Sequence, residues 1–323
     1  MIVAGATGFL GRHLCKELTS RQHDVRAIVR PGSKVASLPA NVEVTTLPTW
    51  SAGALGQAIG QADVLVDLVG LQGGEDIPAA AIRDGNFEVT ARLISGAVGR
   101  VGRFVLVSSV RVYGVRHTQP ISEETPRRPN TEYGRAKALA EDLVQSELGE
   151  DSAVLRLSEV FGPGDQRSMM CRLLRLVQRG MVFWPGSGDN LVHPCYLDDA
   201  ISGIALAVDR QDVTGPYIIA GLEAASMRTV VELAAHVLSV APPRWFIPTK
   251  VVRLGALFGR RLRSFGFPFP FTVSQADTLC DHRSYDLSRS RARLGYVPSV
   301  SLSDGLRRTV AAEAGAREQG SRL

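Results

Sequence analysis

Lysine and cysteine are both scarce in this chain of 323 residues. Only four of the 37 basic side chains are lysine. The four cysteines lie far apart and form no Cys-x-x-Cys pair, so the sequence indicates neither a zinc site nor a disulfide framework. No basic stripe with interleaved aromatic residues accompanies the net charge of +5, and we therefore expect no nucleic-acid partner.

Long apolar runs are also missing. The apolar stretches are too short or too broken to cross a bilayer, which predicts no integral membrane segment. No signal peptide is recognisable, because Met1 leads directly into a predicted strand, and we expect a cytoplasmic protein. That strand is unusually short, which leaves the true start of the protein open. The hydrophobic share of 45% and charged share of 21% are typical of a globular enzyme.

Apolar runs alternate with helical patterns through the first half of the chain. This alternation predicts a doubly wound α/β fold, in which helices cover both faces of a parallel sheet. The predicted strands are 2–4, 25–29, 42–45, 64–69, 104–107 and 153–157, and the predicted helices are 9–20, 51–61, 78–99 and 132–148.

The pattern changes after Gly164. We predict helices near 166–179 and 198–208, a strand at 217–220 and a helix that begins at Ser226 or Thr229. Thr229 and Glu232 have the spacing of a capping box. We expect an irregular lid over 242–273 and a tail that frays after about residue 312, since that tail is rich in Ala, Arg and Glu.

A glycine-rich turn joins the first predicted strand to the first predicted helix. Gly5, Gly8 and Gly11 have the spacing Gly-x-x-Gly-x-x-Gly. Glycine keeps such a turn tight and lets the backbone approach a pyrophosphate, whose charge meets the positive end of the helix. Because a strand precedes the turn and a helix follows it, the turn predicts a dinucleotide-binding site.

Basic residues follow the second predicted strand. An acidic residue here would bind the ribose 2′-hydroxyl of NAD, whereas arginine accommodates the 2′-phosphate of NADP. The chain has Arg30 at this point, with Ser33, Lys34 and Arg12 as further polar candidates. We therefore predict NADP as the cofactor, with NAD as the alternative. The competing interpretation is that Arg30 is only an exposed residue at a strand end.

One of the rare lysines, Lys137, lies four residues after Tyr133. With six tyrosines and four lysines in the chain, roughly 0.07 such pairs are expected by chance. Residues at this spacing share one face of a helix. The ammonium group would stabilise a tyrosinate there, which favours proton transfer by the phenol. A chance pair on a surface helix is the competing interpretation.

These motifs together resemble the extended short-chain dehydrogenase/reductase superfamily, that is, the NAD-dependent epimerase/dehydratase superfamily. The similarity is strongest to its branch of 3β-hydroxysteroid dehydrogenases and dihydroflavonol reductases, and it covers nearly the whole chain. Further matching segments are Asn86, 104–114 with the family's catalytic serine at Ser109, Arg156, 161–164, 191–199, 285–286, 290–298 and 305–309.

The resemblance implies an NADP-dependent oxidoreductase that interconverts a secondary alcohol and a ketone. Tyr133 would act as the acid/base, Ser109 would hydrogen-bond the same substrate oxygen, and Lys137 would hold the nicotinamide ribose. Residues implied to contact the cofactor are Gly5, Thr7, Gly8, Phe9, Leu10, Gly11, Arg30, Leu68, Val69, Tyr133 and Lys137. The fold implied is a Rossmann domain over 1–163, to which 189–215 and 274–300 return in part, with 164–323 forming mainly a smaller, mixed substrate-binding and lid region.

Four positions depart from the family pattern. An aspartate expected after the third strand is replaced near Leu47-Pro48, and an alanine pair after the fourth strand reads Val69-Gly70. Val89 stands where the family has glycine in Asn-x-x-Gly-Thr. Ser158-Glu159 replaces a Pro-Asn or Pro-Gly pair, which argues modestly against a sugar substrate.

The segments expected to bind the substrate favour an apolar ligand. Residues 245–248 and 265–272 are rich in aromatic and aliphatic side chains, which predicts a steroid-, β-keto acid- or polyketide-like small molecule. A sugar-nucleotide epimerase, dehydratase or 4-ketoreductase is the first alternative. Its diphosphate would be held by Arg228, Arg253, Arg260 and Arg261. A non-catalytic NADP-binding subunit is the second alternative, and the retained Ser109, Tyr133 and Lys137 argue against it.

Several other features have two interpretations. His117 and His193 are interpreted as structural rather than as substrate contacts, and Asp198-Asp199 as a helix start rather than a metal site. We predict no metal. The basic, apolar segment 250–263 is a solvated lid helix or, less favoured, a helix on a membrane surface. The resemblance to the family also implies a possible homodimer through helices 78–99 and 132–148.

Overall fold

A computed structural model describes residues 1–71, 77–115, 117–165, 168–180, 184–185, 187–242, 246–264 and 280–320, apart from the side chains of 184–185, 246, 253, 260, 263–264 and 316–320. Its strands are β1 Ile2–Ala4, β2 Arg26–Val29, β3 Glu43–Thr46, β4 Ala62–Asp67, β5 Val101–Ser109, β6 Ser152–Leu157, β7 Val160–Phe161, β8 Trp184–Pro185, β9 Leu191–Val192, β10 Cys195–Tyr196, β11 Gly215–Ile219, β12 Ala225–Ser226 and β13 Phe246–Ile247. Its α-helices are α1 Phe9–Ser20, α2 Ala52–Ile59, α3 Ala79–Arg83, α4 Val89–Ala97, α5 Glu132–Leu148, α6 Met169–Gln178, α7 Leu197–Asp209, α8 Met227–Val237, α9 Thr249–Ser264 and α10 Leu302–Gly320. Single π turns lie at Asp84–Glu88 and Ser290–Leu294, and 3₁₀ turns lie at Val35–Ser37, Val110–Val112 and Gly149–Asp151.

A parallel sheet of seven strands is the centre of the fold. Its strand order is β11-β6-β5-β4-β1-β2-β3, and each neighbouring pair is parallel. The chain moves in one direction from β1 to β3 and in the other from β4 to β11. The order therefore reverses between β1 and β4, and such a point forms a crevice at the carboxyl ends of the strands. The predicted doubly wound α/β architecture is confirmed.

The central strands of the sheet are buried on both faces, and successive residues of a strand enter different cores, whereas the edge strand β3 is largely exposed. Val66 packs into one core with Leu14 of α1 and Ile204 of α7. The neighbouring Leu65 packs into the other core with Leu93 of α4. Side chains alternate across a strand, so a strand covered by helices on both sides is apolar at almost every position.

A third core lies outside the sheet. It joins α6, α8 and α10, with Leu174, Val230 and Leu306 among its buried members. The strand β11 lies beside β6 in the main sheet, so the chain returns to the sheet after α6 and leaves it again before α8. The division of the chain at residues 163 and 164 stays a prediction.

Three details differ from the sequence prediction. The predicted helix 78–99 is interrupted by a π turn, within which Asn86 is fully buried. Ser226, and not Thr229, caps α8, because the Ser226 hydroxyl accepts a hydrogen bond from the Thr229 N–H at 3.0 Å. The helix expected near 250–263 is present as Thr249–Ser264, inside the segment 242–273 that was otherwise expected to be irregular, and α10 continues to Gly320 where fraying was expected. Of the aromatic and aliphatic runs 245–248 and 265–272, Trp245 and all of 265–272 lie outside the described residues.

The helices of the described segments include none with the length and apolarity needed to span a bilayer.

Candidate active site

The glycine-rich turn connects β1 to α1 at the crevice. Gly5 has φ of +84°, and a Cβ atom there would lie 2.9 Å from the backbone carbon of Leu68. A Cβ atom on Gly11 would lie 2.2 Å from the Gly5 carbonyl oxygen. Gly8 is exposed and begins α1, whose first turn has no capping side chain among the described residues. The N–H groups of that turn therefore face an open surface, which fits a pyrophosphate.

Arg30 and Arg12 have different surroundings. Arg30 is exposed directly after β2, and its carbonyl oxygen accepts a hydrogen bond from the Ser33 N–H at 3.2 Å. Arg12 is partly buried: its guanidinium donates to the Gly164 carbonyl oxygen at 3.1 Å and stacks on Phe9. Arg30, together with the exposed Lys34, is thus the cation group open to a 2′-phosphate.

Ser109 ends β5 and begins a 3₁₀ turn. Its hydroxyl oxygen accepts a hydrogen bond from the Arg111 N–H at 3.2 Å, which fixes the side chain at the carboxyl edge of the sheet. The first turn of α5 packs closely on this turn, since a Cβ atom on Gly134 would lie 2.5 Å from the Arg111 carbonyl oxygen. That close approach brings the residue before Gly134, which is Tyr133, beside the end of β5.

Tyr133 and Lys137 share one face of α5 but differ in burial. Tyr133 is partly exposed, whereas Lys137 is 2% exposed. The Lys137 ammonium group donates at 3.1 Å to the carbonyl oxygens of both Val69 and Val107. These oxygens belong to the loop after β4 and to β5. The arrangement can supply a proton donor, a hydroxyl group and a fixed cation at one place.

Two buried polar side chains shape the loop after β4. The Asn86 side chain accepts from the Leu71 N–H at 3.1 Å and donates to the Leu71 carbonyl oxygen at 2.9 Å. Asp67 accepts from the Val69 N–H at 2.9 Å and from the Thr90 hydroxyl at 2.7 Å. Burial raises the pKa of Asp67, and the nearby Lys137 ammonium opposes that shift. Leu68 and Val69, the predicted cofactor contacts, lie between these two anchors.

Sequence reasoning missed a buried ionic network behind the site. Glu141 accepts hydrogen bonds from the Ser108 hydroxyl at 2.5 Å and from the Arg156 guanidinium at 2.7 Å. Arg156 also donates to the Tyr113 hydroxyl at 2.8 Å and stacks on that ring. The sequence did contain a signal for this network. Glu141 follows Lys137 by four residues and therefore lies on the same, inward face of α5.

The unusual pair Ser158-Glu159 lies at the same edge of the sheet, immediately after β6. The Glu159 carboxylate accepts a hydrogen bond from the Met169 N–H at the start of α6. Burial raises the pKa of Glu159, and the charges of Arg111 and Arg283 oppose this. The pair therefore places a carboxylate at the carboxyl edge of the sheet, where the charges of Arg111 and Arg283 act on it.

The histidines His193 and His117 and the carboxylate Asp199 make hydrogen bonds to backbone groups, which fits a structural role. The His193 ring donates a hydrogen bond from Nε2 to the Gly221 carbonyl oxygen at 2.9 Å. Its Nδ1 accepts a hydrogen bond from the Tyr285 N–H at 3.2 Å. Burial lowers the pKa of His193, so the ring is neutral near pH 7. His117 contacts the Tyr113 carbonyl oxygen at 2.5 Å. Asp199 accepts from the Ser299 N–H at 2.9 Å.

Asp198 and Arg228 have partners elsewhere in the described part of the chain. Asp198 pairs with Arg308 at 3.3 Å. Arg228 donates to the Ser187 carbonyl oxygen. Arg261 is exposed on α9, and the side chains of Arg253 and Arg260 lie outside the described residues. The described part of the chain contains no cluster of His, Cys, Asp or Glu able to hold a metal ion.

Comparisons with known proteins identify the family of the chain. The model of the NAD dependent epimerase/dehydratase family matches residues 1–220. The chain is 29% identical to the 2-alkyl-3-oxoalkanoate reductase of Stenotrophomonas maltophilia, over 97% of this chain and 99% of that protein. It is 27% identical to the 3beta-hydroxysteroid-dehydrogenase/decarboxylase isoform 1 of Arabidopsis thaliana, over 96% of this chain and 78% of that protein.

Solved structures show the same fold. The structure of MoeE5 in complex with UDP-glucuronic acid and NAD superposes with a TM-score of 0.76. The match covers 98% of this chain and 99% of MoeE5 at 23% sequence identity. At that level of identity the likeness concerns the fold alone.

Proposed function

Since the chain belongs to the NAD dependent epimerase/dehydratase family and is an NAD(P)-dependent enzyme of the extended short-chain dehydrogenase/reductase type, we propose that it is an NADP-dependent ketoreductase or alcohol dehydrogenase. Its proposed substrate is apolar, of the steroid, β-keto acid or polyketide class. The observation that carries the proposal is the buried Lys137, held by the Val69 and Val107 carbonyl oxygens beside Tyr133 and Ser109.

Each residue of this group has a proposed role. The cofactor supplies the hydride chemistry when it is bound. Tyr133 gives its phenol proton to the substrate oxygen as a ketone is reduced, and takes it back in the reverse direction. Ser109 donates a hydrogen bond to the same oxygen and stabilises its developing charge. The Lys137 ammonium has three donors, of which two hold carbonyl groups, and we assign the third to the nicotinamide ribose.

The cofactor loops fit this proposal in their local geometry. The turn at Gly5, Gly8 and Gly11 would hold the pyrophosphate, with Thr7, Phe9 and Leu10 as further contacts from the start of α1. Leu68 and Val69 would line the ribose side, because Asp67 and Asn86 fix the loop that contains them. Arg30 would hold the 2′-phosphate.

Exchanging the charge at Arg30 should change the cofactor preference. A charge-assisted contact to the 2′-phosphate contributes about 1.5–3 kcal/mol, or roughly ten- to a hundredfold. We expect Arg30→Asp to lower kcat/KM with NADPH by that factor and to favour NADH. Steady-state kinetics with both cofactors measure the effect. Arg100→Asp, at an exposed position just before β5, is the charge-matched control. A wild-type protein that prefers NADH contradicts the assignment.

Removing the Lys137 side chain should weaken both cofactor binding and turnover. Lys137→Ala deletes the proposed ribose contact and leaves the Val69 and Val107 carbonyl oxygens without that donor. We expect an NADPH dissociation constant at least about tenfold higher and an additional loss in kcat. Fluorescence titration and single-turnover kinetics separate the two effects. Lys16→Ala, at an exposed position on α1, should leave both unchanged. Unchanged NADPH affinity in Lys137→Ala would exclude the ribose role.

A sugar-nucleotide epimerase, dehydratase or 4-ketoreductase is the second candidate, and the family itself supports it. The two functions differ in substrate class, and an epimerase or dehydratase also restores its cofactor in each cycle, whereas a ketoreductase of either class consumes NADPH. We would test 2-alkyl-3-oxo acids, 3β-hydroxysteroids and UDP-sugars in one assay that follows both NADPH absorbance and product formation. Stoichiometric NADPH use with an apolar ketone is the expected result. Conversion of a UDP-sugar without net NADPH use would reverse the ranking.

The third candidate, a non-catalytic NADP-binding subunit, predicts cofactor binding without turnover. The acid–base group Ser109, Tyr133 and Lys137 favours an enzyme. Cytoplasmic location and homodimerisation stay predictions.

A further inference from the structure

Helix α9 exposes a group of large apolar side chains. The exposed fractions are 54% for Val251, 65% for Leu254, 46% for Leu257 and 63% for Phe258. These four belong to the ten large apolar side chains that are exposed among the described residues, although α9 has only sixteen residues. Single exposed apolar residues are common, whereas a contiguous group indicates an interaction surface.

The spacing places these side chains together. Positions 251, 254 and 258 are three and four residues apart and 257 is adjacent, so they share one face of the helix. We call this group the apolar face of α9. A different side of the helix attaches it to the protein, since Val252 and Ala256 are buried against Ile247 and Cys280. The apolar face therefore points away from its own small core.

The charges along α9 all have one sign. The segment from Thr249 to Ser264 contains one lysine and four arginines and no Asp or Glu. Lys250, near the start of the helix, and Arg261, near its end, are both exposed. At about 100° per residue both lie on the side of the apolar face, one toward each end of it. A partner must therefore be apolar in the middle and negatively charged around it.

We propose that the apolar face of α9 binds the surface of a bilayer that contains anionic lipids. The helix would lie parallel to the membrane, with Phe258 and Leu254 inserted at the acyl boundary and Lys250 and Arg261 against the headgroup phosphates. A second copy of the chain is disfavoured as the occupant, because pairing two such faces would bring Lys250 and Arg261 of one copy close to the same two cations of the other.

This inference goes beyond the proposed oxidoreductase activity and does not depend on it. Vesicle binding is measured without substrate or cofactor, so failure of either proposal leaves the other testable. The two are compatible, since an enzyme for apolar substrates gains access to them at a membrane surface.

Co-sedimentation of the full chain with vesicles tests the proposal. We would compare phosphatidylcholine vesicles with vesicles that also contain about 30 mol% phosphatidylglycerol, at roughly 0.1 M and 1 M NaCl. We expect binding to the anionic vesicles at low salt, with a large loss at high salt. The variant Leu254→Ser/Phe258→Ser should bind at least about tenfold more weakly, because each side chain contributes apolar burial at the membrane.

The control variant is Val98→Ser/Val297→Ser, which removes two apolar side chains that are 52% and 69% exposed elsewhere on the surface. It should bind the anionic vesicles like the wild type. All four substituted positions are exposed, so both variants should keep the wild-type melting temperature. Equal binding by Leu254→Ser/Phe258→Ser and wild type would overturn the proposal. Absence of wild-type binding to anionic vesicles at low salt would also overturn it. So would a result in which the Leu254→Ser/Phe258→Ser variant differs from the wild type only in oligomeric state, as measured by sedimentation velocity.

Discussion

Tyr133→Phe should lower turnover by roughly two orders of magnitude or more while NADPH binding stays near that of the wild type. The substitution removes only the phenol oxygen, which we propose as the proton donor, and proton transfer by a positioned side chain contributes about 10²–10⁴-fold. The ring that packs at the start of α5 is retained, and Lys137 keeps its bonds to the Val69 and Val107 carbonyl oxygens. Single-turnover kinetics with saturating NADPH and the best substrate of the panel measure the loss.

A second tyrosine provides the matched control. Tyr217 lies in β11, is 3% exposed and stacks under Arg289, away from the end of β5. Tyr217→Phe removes the same atom and should leave kcat within about twofold of the wild type. Near-full activity in Tyr133→Phe would refute its role as the acid/base. Equal loss in both variants would point to a structural effect of losing a phenol group.

Glu141→Ala should destabilise the protein by about 3–5 kcal/mol, because it leaves the Arg156 guanidinium buried without its anion. The side chains of Glu141 and Arg156 are only 4% and 6% exposed, and Nη2 of Arg156 lies 2.7 Å from the Glu141 carboxylate. The Ser108 hydroxyl loses its acceptor at the same time. Urea unfolding followed by circular dichroism gives the free energy of unfolding, with the m-value as a check on two-state behaviour.

The neighbouring residue Asp142 offers a control on the same helix. It pairs with Arg127 at 2.5 Å, but its side chain is 60% exposed. Surface ion pairs contribute about 0–1 kcal/mol, so Asp142→Ala should stay within that range. A loss below about 1 kcal/mol in Glu141→Ala would show that the buried network contributes little to stability.

The sequence was sufficient for the sheet because the strands are apolar at nearly every position. All six strands predicted in the first half are present, and β1 has the predicted bounds. The start of β5 was missed, since Gly102 and Arg103 interrupt its apolar run. Arg103 is nevertheless 2% exposed, because its guanidinium donates to carbonyl oxygens that include that of Ala207. Periodicity cannot show that a buried charge is satisfied by backbone groups.

The candidate site was predictable where a motif fixes the backbone. The glycine turn and the pair Tyr133 and Lys137 depend on local spacing, and the structure places them at one edge of the sheet. The contacts of Asp67 with Thr90 and of Glu141 with Arg156 connect distant parts of the chain, so local patterns do not reveal them. The π turn around Asn86 was equally hidden, because a single extra residue in a helical turn leaves no clear compositional signal.

The hydrogen bonds made by Glu123 and Asp199 have an evolutionary consequence. Glu123 accepts from the Ile218 N–H at 2.8 Å, and Asp199 accepts from the Ser299 N–H at 2.9 Å. The chain is thus fixed at both ends of the stretch that lies between Ile218 and Ser299. Doubling the length of a flexible loop costs only about 0.6 kcal/mol. Insertions and deletions in the surface loops of that stretch, outside the buried residues of α8, can therefore accumulate at low energetic cost while the sheet and its nucleotide turn stay unchanged.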